Sequence, residues 1–262
     1  MLNNFIKYKM KYLQLDMIKH RLGEINNKLF YLKYLQEIKK SNELLINIKD
    51  IHYGKKCFIV ATGPSLNETN IGLIDNDIIF GMNTLYKAIN RFKKIPEYWG
   101  VLDSKVLKKY YKEILKIDSM LFLGGSAGRY FLKHKKVLMK YSKNKPIILR
   151  AGKDMNFFEE FSTDILKGAN GAGTVTIDVC LQMAYYMGFS EVYLIGCDTD
   201  FSGNHFDGTN TKKSGYNIQR RYNTYRVCKE TFENNGRKIY NSTVGGKLEV
   251  FERKKLEDVL IE

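Results

Sequence analysis

The chain of 262 residues has only four cysteines, three prolines and one tryptophan, and these scarcities narrow what it can be. Cys57, Cys180, Cys197 and Cys228 lie far apart and form no C-x-x-C pair, which excludes a zinc ribbon and a disulfide framework. Cys57, Cys180 and Cys197 sit in apolar patterns, where a free thiol packs as a small hydrophobe, and a reducing cytosol suits them. There is no run of about eighteen apolar residues to span a bilayer and no secretory signal at the start. The Asn241-Ser242-Thr243 triplet is therefore read as an incidental glycosylation match. Acidic residues are in deficit, 28 Asp and Glu against 43 Lys and Arg, for a formal net charge of +15. That balance suits nucleic acid, an anionic membrane face or nucleotide-activated substrates. Nucleic acid is set aside, because the lysines scatter along the whole chain and form no single basic and aromatic stripe.

No proline interrupts residues 1–49, which are rich in Lys, Leu, Ile, Tyr and Asn. Leu15, Ile18, Leu22, Ile25, Leu29 and Leu32 alternate spacings of three and four, as the a and d seam of a coiled coil does. The repeat fails at Gln36 and Lys39. Three occupants suit such a stripe: a second copy of the chain, the chain's own domain, or an anionic membrane surface that the flanking lysines would favour. The expected organisation is residues 1–50 as an amphipathic helix for oligomerisation or membrane-surface association, and residues 51–262 as a nucleotide-binding catalytic domain.

From Lys56 onward apolar strand candidates alternate with helical periodicity. The strands are Cys57–Ala61, Ile78–Met82, Tyr98–Leu102, Met120–Leu123, Pro146–Leu149, Glu191–Ile195 and Lys238–Tyr240, and helices fall at about 104–117, 127–141, 174–187 and 217–235. This alternation predicts an α/β, Rossmann-like, mainly parallel sheet with helices on both faces. In such sheets ligands sit beyond the carboxyl ends of the strands, near a switch in strand order. Polar residues gather at those ends: Thr62-Gly63-Pro64-Ser65, Asn83-Thr84, Asp103-Ser104, Gly196 to Asp200, and Asn241 to Gly246.

The first of these groups ends the stretch Phe58 to Leu66, where an apolar strand runs into a Gly-Pro-Ser turn. Gly63 lets the backbone approach a ligand, Pro64 stiffens the exit, and free N–H groups with the Thr62 and Ser65 hydroxyls are available to an anion. The turn is neither a Walker loop nor a Gly-x-Gly-x-x-Gly fingerprint. A second anion site is expected at Gly168 to Thr174, where Gly171 and Gly173 permit close approach and Thr174 or Thr176 caps the next helix; an ordinary flexible loop is the alternative. Asp198 and Asp200 could present two carboxylates to one cation, or Asp198 could order the loop that follows. His205, in a glycine-bounded loop, is the candidate general base, oriented by Asp207 or Asp198. Tyr216, Arg220, Arg221 and Tyr222 follow, placed either to neutralise a departing phosphate or to face water.

Phe58 to Leu66, Phe80-Gly-Met-Asn83, and the glycine loop with its helix ending in Tyr186 to Asp198 resemble the corresponding blocks of bacterial CMP-sialic-acid-dependent sialyltransferases. With Gly203 to Phe206 and Tyr240 to Gly246 added, the blocks are similar to the flagellin nonulosonic-acid transferases called motility accessory factors, and to the archaeal 6-hydroxymethylpterin diphosphokinase. The resemblance covers roughly residues 55 to 250 and leaves out the leading helix. It implies a GT-A-like variant of the Rossmann arrangement, with the Gly63-Pro64-Ser65 turn and Asn83 on the nucleotide and the Gly171 to Thr174 loop on its phosphate. One departure stands out: the sialyltransferases place their catalytic histidine downstream of the loop tyrosines, and Lys212 to Tyr225 contains none, so His205 or an aspartate such as Asp198 or Asp103 has to serve.

The implied activity is transfer of a sialic-acid-like sugar from a CMP-activated donor to a cell-surface glycan or protein acceptor, in the cytoplasm or at the inner face of its membrane, by a homo-oligomer. A CMP-sugar needs no cofactor; a diphosphate donor or ATP calls for Mg or Mn. The alternatives are a diphosphokinase using ATP and Mg on a small heterocycle such as 6-hydroxymethylpterin, and a non-catalytic assembly protein.

Overall fold

A computed structural model of the chain describes residues 17–18, 21–199, 204–210 and 218–261. Leu15, Asp200, Gly203 and Tyr216 lie outside the described residues. The strands are β1 (Lys56–Val60), β2 (Ile78–Met82), β3 (Tyr98–Val101), β4 (Met120–Leu123), β5 (Ile147–Ile148), β6 (Ala151–Asp154), β7 (Ala169–Gly171), β8 (Glu191–Ile195), β9 (Lys238–Asn241) and β10 (Glu252–Arg253). Eight of them form one sheet in the order β10-β9-β8-β1-β2-β3-β4-β5, and β6 with β7 makes a separate ribbon. Every pairing between these strands is parallel.

A parallel sheet covered on both faces needs apolar side chains on both, and β1 shows why its sequence reads as a continuous hydrophobic run. Cys57 and Ile59 belong to one core with Val179, Cys180 and Met183. Phe58 and Val60, pointing the other way, belong to a second core with Trp99, Leu107 and Phe131. The chain lays strands outward from β1 to β5, then returns to the other side of β1 with β8. That reversal makes β1 and β8 the switch point, above which a crevice opens.

Several elements differ from their predicted extent. The helix expected at 127–141 divides at His134, whose φ of −112° is not helical, into Gly125–Lys133 and Lys135–Leu138. The helix expected at 174–187 begins with a π-type stretch, Thr176–Leu181, before the α-helical Gln182–Tyr186. Residues 169–171, expected as loop, form β7; Ala-Asn-Gly has none of the β-branched or aromatic residues by which strands are recognised.

The leading segment is helical over 21–33 and again over Leu35–Asn47, with a break at Tyr34. Within Leu35–Asn47 the buried residues are Ile38, Ser41 and Leu45. Ser41 Oγ accepts the Ile148 N–H at 3.0 Å, so this helix covers the β5 edge of the sheet, which would otherwise offer unpaired backbone groups. The apolar stripe at Ile18, Leu22, Ile25, Leu29 and Leu32 is not buried against the chain's own domain: its members are 52–62% exposed, and of them Leu32 alone borders the cleft between the helix and the body.

Candidate active site

A cavity of about 340 Å³ opens beyond the carboxyl ends of β1, β2, β3 and β8, within the range typical of small-molecule sites. Thr62, Gly63, Pro64, Asn83, Asp103, Gly173, Thr174, Asp198 and His205 all line it. The fold thus gathers most of the residues singled out from sequence, although 143 positions separate Thr62 from His205.

The Gly-Pro-Ser turn works differently from the expected phosphate cradle. A Cβ added at Gly63 would lie 1.8 Å from Asp198 Oδ2 and 2.5 Å from the Gly196 carbonyl oxygen. The Gly63 φ is −69°, so glycine is needed here for lack of a side chain and not for backbone freedom. Gly63 N donates to Gly196 O at 2.9 Å. Asp198, buried, accepts from Ser65 N through Oδ1 at 3.2 Å and from Ser65 Oγ through Oδ2 at 2.9 Å. The turn's N–H groups at 63 and 65 therefore point at the protein's own oxygens, and Ser65 lies behind the cavity wall. The Asp198 carboxylate thus orders the Gly63 to Ser65 turn, a role different from either of the two expected for it. Among the described residues no group of three or more His, Cys, Asp or Glu is placed to hold a metal ion.

The glycine loop follows the same logic. Asp178, from the first turn of the helix that follows, accepts the N–H groups of Ala172, Gly173 and Thr174 at 2.7, 3.1 and 3.3 Å. Arg221, on the helix Ile218–Glu233, donates to the Ala172 carbonyl at 3.0 Å. An internal carboxylate thus occupies the place expected for a phosphate. Thr174 does cap the helix, its Oγ1 accepting the Ile177 N–H at 3.2 Å. Gly171 faces an adjoining cavity with Asp178 and Arg150.

Burial pushes the Asp178 carboxyl up to about 6, against the pull of its three N–H donors and Arg221. A carboxyl whose native pKa exceeds its unfolded value near 3.8 holds more protons when folded throughout that interval. Its contribution to stability is therefore greatest at low pH and is lost as pH rises through about 6. Asp178→Asn is expected to flatten this part of the curve, which thermal melts across the interval would measure.

His205 is held by the end of β1. Its Nδ1 lies 3.1 Å from Thr62 Oγ1 and 3.2 Å from the Thr62 carbonyl oxygen, and the neighbouring Phe206 N–H donates to that carbonyl at 3.0 Å. Asp207 has another task from the one expected. It pairs with Lys87 at 2.5 Å and accepts from Thr209 Oγ1 at 2.6 Å. Burial raises its pKa, but the hydrogen bonds from Lys87 and Thr209 prevail and bring it down to about 2. It anchors the histidine loop, while Thr62 orients the ring.

Asn83 has a left-handed backbone, φ +46°, at the end of β2. Its Oδ1 is buried and has no hydrogen-bond partner. A buried acceptor left unmade is costly, and a strained backbone beside it is typical of ligand sites. Asp103 lines the cavity while its Oδ1 caps the helix Ser104–Ile114 through Lys105 N at 2.7 Å.

On the helix Ile218–Glu233 the expected residues fall out of phase. Arg220 is exposed, and Tyr222 donates its hydroxyl to the Lys247 carbonyl; neither lines the cavity. Of the residues expected there Arg221 does face inward, and Tyr225, one helical turn on, joins it and reaches the cavity. Thr176, expected only as a helix cap, also lines it, as do Cys197, Thr199 and Asn204, to which no role of their own was given. Burial pushes the Cys197 thiol up to about 12, so it serves as wall and not as nucleophile.

A parallel sheet with a pocket above its switch point defines a Rossmann-like α/β protein with its candidate site at the strand ends. The chain belongs to the 6-hydroxymethylpterin diphosphokinase MptE-like family, whose family model matches residues 29–204. The match takes in the helix Leu35–Asn47, beyond the motif blocks, and ends before Tyr240 to Gly246. Two solved structures have a similar fold. One is the sialyltransferase CstII from Campylobacter jejuni in complex with a substrate analogue, cytidine-5'-monophosphate, at 16% identity over 77% of this chain and 85% of that one, TM-score 0.45. The other is the sialyltransferase CST-II in complex with trisaccharide acceptor and CMP, at 17% identity over 76% and 85%, TM-score 0.49. No curated protein matches the sequence.

Proposed function

We propose that the protein is a transferase that moves a sialic-acid-like sugar from a CMP-activated donor onto a hydroxyl of a glycan or protein acceptor. The observation that carries this reading is the buried, unpartnered Asn83 Oδ1 in the same cavity as a histidine fixed through Nδ1. Asn83 would accept a hydrogen bond from the amino or hydroxyl group of the nucleotide. With the Nδ1 proton directed at the Thr62 carbonyl, Nε2 becomes the basic ring nitrogen. It takes the proton of the acceptor hydroxyl as that oxygen bonds to the anomeric carbon, and the bond from that carbon to the phosphate oxygen breaks, its electron pair leaving with CMP. Thr174 and Tyr225 line the same cavity, and their hydroxyl groups would stabilise the departing phosphate.

A diphosphokinase using ATP and Mg is the second reading, and the family match supports it. Its metal would need carboxylates in the cavity. Hydrogen bonds from Ser65 and from Lys105 N already take part of the capacity of Asp198 and Asp103, so this reading asks for a cation held through the remaining lone pairs of those two carboxylates. Calorimetry separates the two readings. CMP binding without added Mg is expected, and binding of ATP with Mg but of no cytidine nucleotide would sink the proposal.

Asn83→Gly offers a sharper check, because glycine keeps the left-handed backbone and removes only the amide. Nucleotide affinity should drop about tenfold, the worth of one good hydrogen bond, with the melting temperature scarcely moved.

A further inference from the structure

The leading helix carries two apolar seams, and the domain uses one of them. Tyr31 is buried and its hydroxyl accepts the Ala151 N–H at 3.2 Å, while Arg129 donates to Asn27 Oδ1 at 2.7 Å. These contacts fix the helix over 21–33 against the body. Ile25 and Leu29 precede Asn27 and Tyr31 by two positions, which is roughly 200° around a helix. At Ile18, Leu22, Ile25 and Leu29 the stripe therefore points away from the domain, as their exposure shows, while Leu32, also exposed, borders a cleft between the helix and Arg150 and Phe161 of the body. Contiguous apolar surface of this kind marks an interaction site.

The charges beside the stripe select its occupant. Arg21 and Lys28 run along one edge and Lys33 along the other, all exposed, and the sequence upstream adds Lys7, Lys9, Lys11 and Lys19. If two copies paired through the stripe, Arg21, Lys28 and Lys33 would meet with the same sign, which opposes association. A bilayer rich in anionic lipid satisfies both features, taking the apolar side chains into the acyl boundary and the cations onto lipid phosphate. Among the described residues no helix is long and apolar enough to cross a membrane. We propose that the helix over 21–33 lays the protein on the surface of an anionic phospholipid bilayer, whatever reaction the cavity performs.

The test is co-sedimentation of the full chain with vesicles of phosphatidylcholine alone and of phosphatidylcholine mixed with phosphatidylglycerol. Partitioning should be about tenfold or more stronger on the mixed vesicles and should weaken with added salt. Leu22→Asp with Leu29→Asp should abolish it, and Lys28→Glu with Lys33→Glu should reduce it at least as far as added salt does. Melting temperatures should hold for both pairs, because the side chains are exposed. The proposal is overturned if the wild type ignores the mixed vesicles, binds neutral vesicles equally well, or is unaffected by the leucine pair. Sedimentation velocity showing a dimer that the leucine pair makes monomeric would assign the stripe to a second copy instead.

Discussion

Gly63→Ala is expected to destabilise the protein by about 3 kcal/mol or more, the scale of severe overpacking. The new methyl would overlap Asp198 Oδ2 at 1.8 Å and the Gly196 carbonyl oxygen at 2.5 Å. A side chain could swing aside; the carbonyl cannot, because it closes the junction between β1 and β8 at the centre of the sheet and accepts Gly63 N. For a chain of this length the loss corresponds to a melting temperature lower by about 6–12 °C. Asp198→Ala alone should cost less, about 1–3 kcal/mol, by leaving the Ser65 N–H and hydroxyl without their acceptor. The two changes combined should not recover the stability of Asp198→Ala, since the backbone overlap remains. Urea or thermal unfolding of the three variants decides the matter, and a Gly63→Ala protein melting within about 1 °C of the wild type would refute the packing argument.

His205→Ala should lower the transfer rate by about 10²- to 10⁴-fold, the usual contribution of a positioned base, and leave nucleotide affinity within about threefold. The separation follows from the geometry, because the ring is held by Thr62 and the unpartnered acceptor belongs to Asn83 on another strand. Thr62→Val removes one of the two contacts to Nδ1 and keeps the carbonyl, so its effect on rate should be smaller. Single-turnover rates with binding measured separately make the distinction. A His205→Ala enzyme of undiminished rate would return the base to an aspartate.

Much of the fold was legible because a two-sided parallel sheet demands apolar runs, and Ile78–Met82, Met120–Leu123 and Glu191–Ile195 appear within the bounds expected. The collection of polar residues at the strand ends was legible for the same reason. What the backbone groups at those ends do was not. The acceptor for Ser65 is Asp198, 133 positions away, and Asp178 answers the glycine loop from inside an apolar helix where a lone carboxylate gives no local signal. Helix phase explains why, of the run Arg220, Arg221 and Tyr222, only Arg221 turns inward and is joined by Tyr225: three successive residues span about 200° of a helix and cannot share one face. The ribbon of β6 and β7 escaped notice because its residues are short, polar or glycine.

Asp198 and Asp178 each tie down a loop that a ligand would otherwise have had to order. The entropy lost in arranging Gly63 to Ser65 and Ala172 to Thr174 is therefore charged to folding rather than to complex formation, and the two walls meet an incoming molecule already rigid. Selectivity at this site then works by fit to a fixed template, with little scope for those walls to remould themselves around a poorer ligand.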